Sequence, residues 1–192
     1  MLERDNTVRF PSWVGGDDLL QKAWLIGAGL MAPHKRKYTG APYFDHCEEV
    51  AQLLHSVGED RDVVAAGLLH DCLEMSPITV AELESHFGAA VAGLVDEVTD
   101  RTTQQDGTRA QRKALERDRL SWVSNQAKSI KLADMLSNGA TLIVRDPKFA
   151  KVYLPELKAL FPRVSDGGNA RLAARVRAML VTAFQQLGLS DG

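Results

Sequence analysis

Apolar residues recur at helical spacing along most of this chain, and this periodicity limits the fold more than any other feature. One stretch shows the pattern in the series His46, Val50, Leu53, Leu54 and Val57. Positions with this spacing share one face of a helix, so His46 is expected to point inward with the apolar residues. Few segments show the strict alternation that is typical of β-strands. We therefore predict an all-α helical bundle.

Capping residues mark several of the expected helix ends. Asp17 and Asp18 can cap a first helix that runs to about Met31. Thr79 and Glu82 form a capping-box pattern that opens a short helix. The apolar spacing predicts further helices at about residues 62–73, 108–124, 127–143, 149–160 and 172–187.

Length and composition fit one compact domain. With 192 residues, 45% of them hydrophobic, the chain can bury a core without disulfides or other cross-links. We expect a single domain over residues 1–192, in which helices at 147–188 pack on the part before them.

The charge balance and the apolar runs narrow the choice of partners and compartment. Lys and Arg number 23 against 25 Asp and Glu, so the net charge of −2 gives no global basic field for nucleic acid. Residues 1–13 lack the apolar core of a signal peptide, and no apolar run is long enough to span a membrane.

Cys47 and Cys72 form neither a disulfide framework nor a metal-binding pair, and we interpret them as buried small residues in a reducing compartment. We predict a cytoplasmic protein that binds neither membranes nor nucleic acid; the sequence does not indicate an oligomeric state.

Four candidate metal ligands lie on predicted helices, namely His46, His70, Asp71 and Asp134. Two imidazoles and two carboxylates form a ligand set that suits a divalent transition metal. Asp134 lies within an apolar helix face, where an unpaired charge would cost several kcal/mol, and a metal ion would remove that cost. A divalent ion lowers the pKa of water and neutralises charge in the transition state, so the set predicts metal-assisted hydrolysis of a phosphate ester.

Four blocks of sequence carry a resemblance to a known family. They are residues 38–46 (YTGAPYFDH), 65–71 (AAGLLHD), 87–99 (FGAAVAGLVDEVT) and 130–138 (IKLADMLSN). In this order, over roughly residues 18–145, they resemble the HD-domain hydrolase module, in particular the (p)ppGpp hydrolases of the RelA/SpoT type and the small alarmone hydrolases. The resemblance implies that His46, His70, Asp71 and Asp134 hold one ion, commonly manganese in this family.

The resemblance also implies a reaction, with one departure from the family pattern. The family follows the His-Asp pair, three and four residues on, with a Glu-Asp pair that positions or deprotonates the attacking water; here these positions hold Glu74 and Met75. Glu74 is therefore the expected general base, whereas Met75 cannot accept a proton. The implied reaction is (p)ppGpp 3′-pyrophosphohydrolysis. The alternatives are a nucleotide phosphatase for a 2′- or 5′-phosphate, and a catalytically impaired nucleotide-binding HD protein.

Three further residues are expected to bind the nucleotide. Lys35 and Arg36 fall where the alarmone hydrolases carry a basic pair that contacts the base, although a solvated surface is the alternative interpretation. Asn138 resembles the family position that hydrogen-bonds the ribose or phosphate region; alternatively it is an ordinary amide on a helix face. After about Arg145 the resemblance fades. The expected partner is a small-molecule nucleotide.

Overall fold

The computed structural model describes residues 9–189, and helices dominate this part of the chain. In chain order they are α1 (Asp18–Met31), α2 (Phe44–Ser56), α3 (Arg61–Leu69), α4 (Cys72–Met75), α5 (Val80–Phe87), α6 (Ala89–Val98), a 3₁₀ turn (Gln104–Asp106), α7 (Arg109–Arg119), α8 (Asn125–Arg145), α9 (Pro147–Ser165) and α10 (Ala170–Leu187). Within residues 9–189 the β pairing is limited to an isolated bridge between Lys35 and Pro42. The all-α prediction is confirmed. Residues 1–8 and 190–192, which the predicted domain and the N-terminal segment include, lie outside the described residues.

The capping signals act at the helix ends where the sequence places them. Asp17 Oδ1 accepts hydrogen bonds from the backbone N–H groups of Leu19 and Leu20, at 2.9 and 3.1 Å. Thr79 and Glu82 form the reciprocal capping box at the start of α5. The expectation that α7 continues to about residue 124 is wrong, because Ser124 instead caps α8 by accepting the Ala127 N–H at 3.2 Å.

The predicted helix over residues 62–73 is interrupted at His70 and Asp71. Helix α3 ends at Leu69 and α4 begins at Cys72. The His70 imidazole hydrogen-bonds through Nδ1 to the Gly67 carbonyl at 2.9 Å, the carbonyl that would accept the Asp71 N–H in a continuous helix. The expectation of one continuous helix over residues 62–73 is therefore wrong. The break lets two adjacent side chains, His70 and Asp71, face the same point.

Helices α2 and α3 approach closely at Gly67. A Cβ atom at this position would lie 2.6 Å from Leu54 Cδ1 and 3.3 Å from Ala51 Cα. The absence of a side chain therefore permits the close packing of the two helices. This approach places His46 of α2 beside His70, with 5.1 Å between the ring centroids.

Replacing Gly67 by Ala is expected to lower the free energy of unfolding by about 1–3 kcal/mol, because the added methyl group overpacks the α2–α3 contact. Gly93 in α6 is the matched control, since a Cβ there meets no atom within 4 Å. Gly93→Ala should stabilise the protein by up to about 1 kcal/mol through helix propensity. Urea denaturation measures both values; destabilisation of equal size in the two variants would contradict the packing argument.

Helix α8 is the central element of the bundle and contacts α2, α3, α6, α9 and α10. Its inward face contains the buried residues Ile130, Ala133 and Ser137. Helices α9 and α10 also contact each other, so they cover the side of α8 that the earlier helices leave open. In residues 9–189 we find no helix with the length and apolar character needed to cross a membrane.

Candidate metal and active site

The four predicted metal ligands converge from three parts of the chain. His46 comes from α2, His70 and Asp71 from the break between α3 and α4, and Asp134 from α8. His46 Nε2 lies 3.2 Å from Asp134 Oδ1, and His70 Nε2 lies 3.2 Å from Asp71 Oδ2. The crossed distances, His46 to Asp71 and His70 to Asp134, are 3.8 and 3.9 Å. The ligand atoms of His46, His70 and Asp134 all lie within 4.8 Å of one another, and Asp71 faces both imidazoles, so the four side chains surround one candidate metal position.

The second nitrogen of each imidazole is held in place by the protein. His46 Nδ1 lies 2.8 Å from Ser137 Oγ, and the Ser137 hydroxyl donates to Glu49 Oε2 at 2.5 Å. Ser137 therefore accepts the Nδ1 proton of His46. His70 Nδ1 in turn donates to the Gly67 carbonyl. These bonds direct both Nε2 atoms towards the space between the carboxylates.

Both Nε2 atoms are buried and have no hydrogen-bond partner among residues 9–189. The side chains of His46 and His70 are only 1% and 2% exposed, so bulk water does not reach them. An unsatisfied buried polar group costs about 1–3 kcal/mol. Coordination of a divalent ion by the Nε2 lone pairs would remove this cost, so the residues present fit a metal ion.

The ionisation states of the site residues also agree with the binding of a metal cation. Burial by itself would raise the pKa values of Asp71 and Asp134, but the neighbouring His70 and Lys131 lower them below the usual range. Both carboxylates are therefore ionised. Burial opposes protonation of His70, yet the Asp71 carboxylate outweighs it and raises the pKa of His70. A cation would take the place of that proton at Nε2.

Three side chains support the carboxylates. The Tyr43 hydroxyl donates to Asp71 Oδ2 at 2.7 Å, and the Lys131 ammonium lies 3.3 Å from Asp134 Oδ2. Asn138 Nδ2 donates to Asp134 Oδ1 at 2.6 Å. Asn138 thus contacts a candidate ligand directly and also lines the adjoining cavity. Hydrogen bonds of this kind fix the orientation of a ligand and tune its affinity for the ion.

Replacing Ser137 by Ala is expected to weaken Mn²⁺ binding by about 10- to 100-fold, because the His46 ring loses the acceptor that orients it. The matched control is Ser129→Ala, which removes another buried hydroxyl of α8 that bonds only to the Asn125 carbonyl and the Asn169 N–H. Titration of the metal-free protein with Mn²⁺ measures both affinities. Equal weakening in the two variants would show that general destabilisation, and not His46 orientation, is responsible.

A cavity of about 190 Å³ opens beside the ligands, and Glu74 contributes to its lining. Asp71 and Asp134 line the same cavity. Glu74 Oε1 accepts the backbone N–H of Asp100 at 2.9 Å, which fixes the carboxylate. Partial removal from water and the nearby Asp71 carboxylate raise the pKa of Glu74. A glutamate with a raised pKa is a better proton acceptor near neutral pH.

The segment that holds Glu74 is itself clamped by α7. The buried Glu116 carboxylate accepts the backbone N–H groups of Arg101 and Thr102, at 2.6 and 2.7 Å. Arg119 bonds to Glu116 and donates to the carbonyls of Glu97 and Thr99, at 2.7 and 3.1 Å. The backbone around residue 100 is therefore fixed on both sides. Sequence reasoning missed this clamp, because nothing in the local pattern separates Glu116 from a solvated helix residue.

A second cavity, of about 320 Å³, lies on the other side of a shared wall. The residues common to both cavities are Tyr43, Asn138 and Tyr153. Arg36 lines the second cavity and donates to Thr141 Oγ1 at 3.0 Å. The remaining lining is formed by Lys37, Tyr38, Leu142 and Phe149.

The structure brings Arg36 to this site but not the side chain of Lys35. Lys35 is exposed and lines neither cavity, and its backbone pairs with Pro42. Lys37, which sequence reasoning missed, lies over the rings of Tyr38 and Phe149, at 5.1 and 5.9 Å from their centroids. The run of three basic residues followed by Tyr38 was the available signal for it.

The cysteines are buried and unpaired, as expected. The Cys47 sulfur lies within 4.8 Å of ligand atoms of His70 and Asp71. Burial raises the pKa of the Cys47 thiol, so it is neutral and a weaker ligand than the imidazoles and carboxylates.

Comparisons with known proteins identify one matching family model and several similar proteins. The HD domain family model matches residues 23–161. A guanosine-3′,5′-bis(diphosphate) 3′-pyrophosphohydrolase, MESH1 of Danio rerio, is 43% identical over 101 residues, which are 52% of this chain and 54% of the relative. MESH1 of Homo sapiens is 44% identical over 126 residues, covering 62% of this chain and 69% of the relative. The chain thus spans about half the length of the Danio rerio relative.

One solved structure resembles the fold over most of the chain. It is described as a metazoan ortholog of SpoT that hydrolyzes ppGpp and plays a role in starvation responses. It superposes with a TM-score of 0.77 at 27% sequence identity, and the match covers 95% of this chain and 100% of that one.

Proposed function

Since the chain belongs to the HD-domain family, we propose that it is a metal-dependent (p)ppGpp 3′-pyrophosphohydrolase. The observation that carries the proposal is the pair of buried, unpartnered imidazole nitrogens facing two carboxylates at the wall of a cavity. His46, His70, Asp71 and Asp134 would hold a divalent ion, and we propose Mn²⁺ because the resemblance to the HD-domain hydrolases implies it. The activities named for the relatives agree with this reaction. The free cysteines agree with a cytoplasmic location.

The proposed reaction is a hydrolysis at the phosphorus attached to the ribose 3′ oxygen. Glu74 takes a proton from water as the water oxygen bonds to that phosphorus. The bond from phosphorus to the 3′ oxygen breaks, and the 3′ oxygen takes up a proton from solvent in the open cavity. The products are pyrophosphate and GDP or GTP. When bound, a divalent ion supplies neutralisation of the phosphoryl charge and a lower pKa for water.

The two cavities suit the two ends of the nucleotide. The phosphate end lies in the first cavity, next to the ligands and Glu74, and the base lies in the second. There the Arg36 guanidinium can stack on a purine, and Tyr38 and Phe149 offer ring faces. Asn138, in the shared wall, is placed to contact the ribose or phosphate. Lys35 would act only by adding positive charge at the entrance.

The proposed hydrolysis does not require a carboxylate at position 75, where this chain has Met75. Its side chain packs against the core, and its carbonyl lies 2.6 Å from His34 Nε2. It does not line the first cavity. Glu74 is therefore the carboxylate assigned to the proton transfer.

Incubation of the purified protein with Mn²⁺ and ppGpp tests the proposal. We expect pyrophosphate and GDP in equal amounts. Orthophosphate from 2′- or 5′-phosphorylated nucleotides, without pyrophosphate from ppGpp, would instead indicate a nucleotidase of other specificity. Binding of ppGpp without cleavage, with hydrolysis appearing only in Met75→Asp, would indicate an impaired nucleotide-binding protein.

A further inference from the structure

The cations of the first cavity differ in whether their charge is already balanced. Lys131 lies 3.3 Å from Asp134, and Lys113 pairs with Asp100 at 2.9 Å. Arg117 lines the same cavity and is half-buried. Within residues 9–189 its guanidinium has neither an ion pair nor a hydrogen bond.

Two glutamates that line the first cavity together with Arg117 are already engaged. Glu116 is bound by Arg119 Nε at 2.7 Å and by two backbone N–H groups. Glu156 is held by two parallel hydrogen bonds from Arg109, at 2.7 and 2.8 Å. Neither carboxylate therefore neutralises Arg117. Among the described lysines and arginines that line this cavity, Arg117 alone has no acidic partner, so its charge is available to bind a ligand.

The position of Arg117 follows from the geometry of α7. Lys113 and Arg117 lie on the same face, one helical turn or about 6 Å apart along the axis. Lys113 lies close to Glu74, because it pairs with Asp100, whose N–H donates to Glu74. Arg117 is thus one turn further along the cavity wall. Leu120, Leu157 and Leu160 also line the cavity, and apolar walls of this kind lower the local dielectric constant in which a guanidinium and an anion interact.

We propose that Arg117 binds the distal phosphate of the 3′-diphosphate and so makes the site selective for esters that carry a second phosphate. The inference rests on the proposed function, which places the phosphorus next to the ribose beside the metal ligands and Glu74. A planar guanidinium with free donors can bind two oxygens of one phosphate. Attack then releases both phosphates together as pyrophosphate, since no bond between them is broken.

The test compares two substrates that differ only in the distal phosphate: guanosine 5′-diphosphate carrying a 3′-diphosphate or a 3′-monophosphate. In Arg117→Gln we expect kcat/KM for the 3′-diphosphate to fall by about 10- to 100-fold, the loss of a charge-assisted phosphate contact. The value for the 3′-monophosphate should fall much less, so the preference of the wild type decreases. Arg112→Gln is the matched control, because Arg112 is on α7 but outside the cavity and bonds to the Gly107 carbonyl.

A second readout separates this inference from the proposed function. Calorimetry on the Mn²⁺-loaded protein measures binding of inorganic pyrophosphate and of orthophosphate. A preference for pyrophosphate that is lost in Arg117→Gln but kept in Arg112→Gln supports the inference, even if ppGpp is not hydrolysed. An unchanged preference for pyrophosphate in Arg117→Gln would overturn the inference. The guanidinium would then lie in a neighbouring surface cavity that Arg117 lines together with Ser121, Arg163 and Asp166.

Discussion

Replacing Asp134 by Asn is expected to prevent the binding of a divalent ion and to lower kcat/KM for ppGpp by about a thousandfold or more. Asp134 Oδ1 lies 3.2 Å from His46 Nε2 and 3.9 Å from His70 Nε2, so it faces both unpartnered nitrogens. An amide keeps the shape of the side chain but loses the charge that neutralises the ion. Metal content after dialysis and the rate of pyrophosphate release measure the two effects.

The control for this variant is Asp100→Asn. Asp100 lines the same cavity and pairs with a lysine, as Asp134 does, but within residues 9–189 it forms no hydrogen bond or ion pair with the four candidate ligands. Its substitution should leave the bound ion in place. Because Asp134→Asn also leaves Lys131 without its ion pair, circular dichroism and thermal unfolding must show that the variant is folded. A folded Asp134→Asn protein that keeps its full metal content would show that the ion lies elsewhere.

Replacing Glu74 by Gln is expected to lower kcat by about 10²- to 10⁴-fold while metal content stays unchanged, because the site loses its proton acceptor. The amide oxygen can still accept the Asp100 N–H, so the local structure should persist. Glu156→Gln is the matched control, since Glu156 lines the same cavity but is engaged by Arg109. Comparable losses in both variants would argue against a special role for Glu74.

The pH dependence gives a further check on Glu74. Its pKa is raised, so the carboxyl group is protonated, and inactive as a base, at pH values where an ordinary glutamate is ionised. The rate should therefore fall as pH is lowered through this raised pKa and recover above it. In the wild type, this fall in rate should occur at pH values above the ordinary pKa range of glutamate. In Glu74→Gln the residual rate should not show this fall.

Local sequence signals predicted much of the fold correctly. Asp17 caps α1, and Thr79 with Glu82 caps α5, because a cap depends on residues that are neighbours in the chain. Apolar periodicity also indicated that His46 faces inward, and the side chain is 1% exposed. The resemblance to the HD-domain family is confirmed by the family match over residues 23–161.

The features that sequence reasoning missed depend on contacts between distant residues. The break after Leu69 depends on a hydrogen bond from the His70 ring to a carbonyl, which helix periodicity does not reveal. Ser137 and Glu49 are 88 residues apart, yet their hydrogen bond helps orient His46. The charge of Arg117 stands out only because the neighbouring charged residues pair with partners on other elements, as Lys113 does with Asp100 and Glu156 with Arg109.

Pyrophosphate release from ppGpp, measured against the amount of bound Mn²⁺, tests the central claim most directly. If the four ligands hold one catalytic ion, the rate should rise in proportion to occupancy, level off at one ion per chain and disappear when the ion is removed by a chelator. Unchanged pyrophosphate release from the metal-free protein, or full occupancy without any release, would contradict the account.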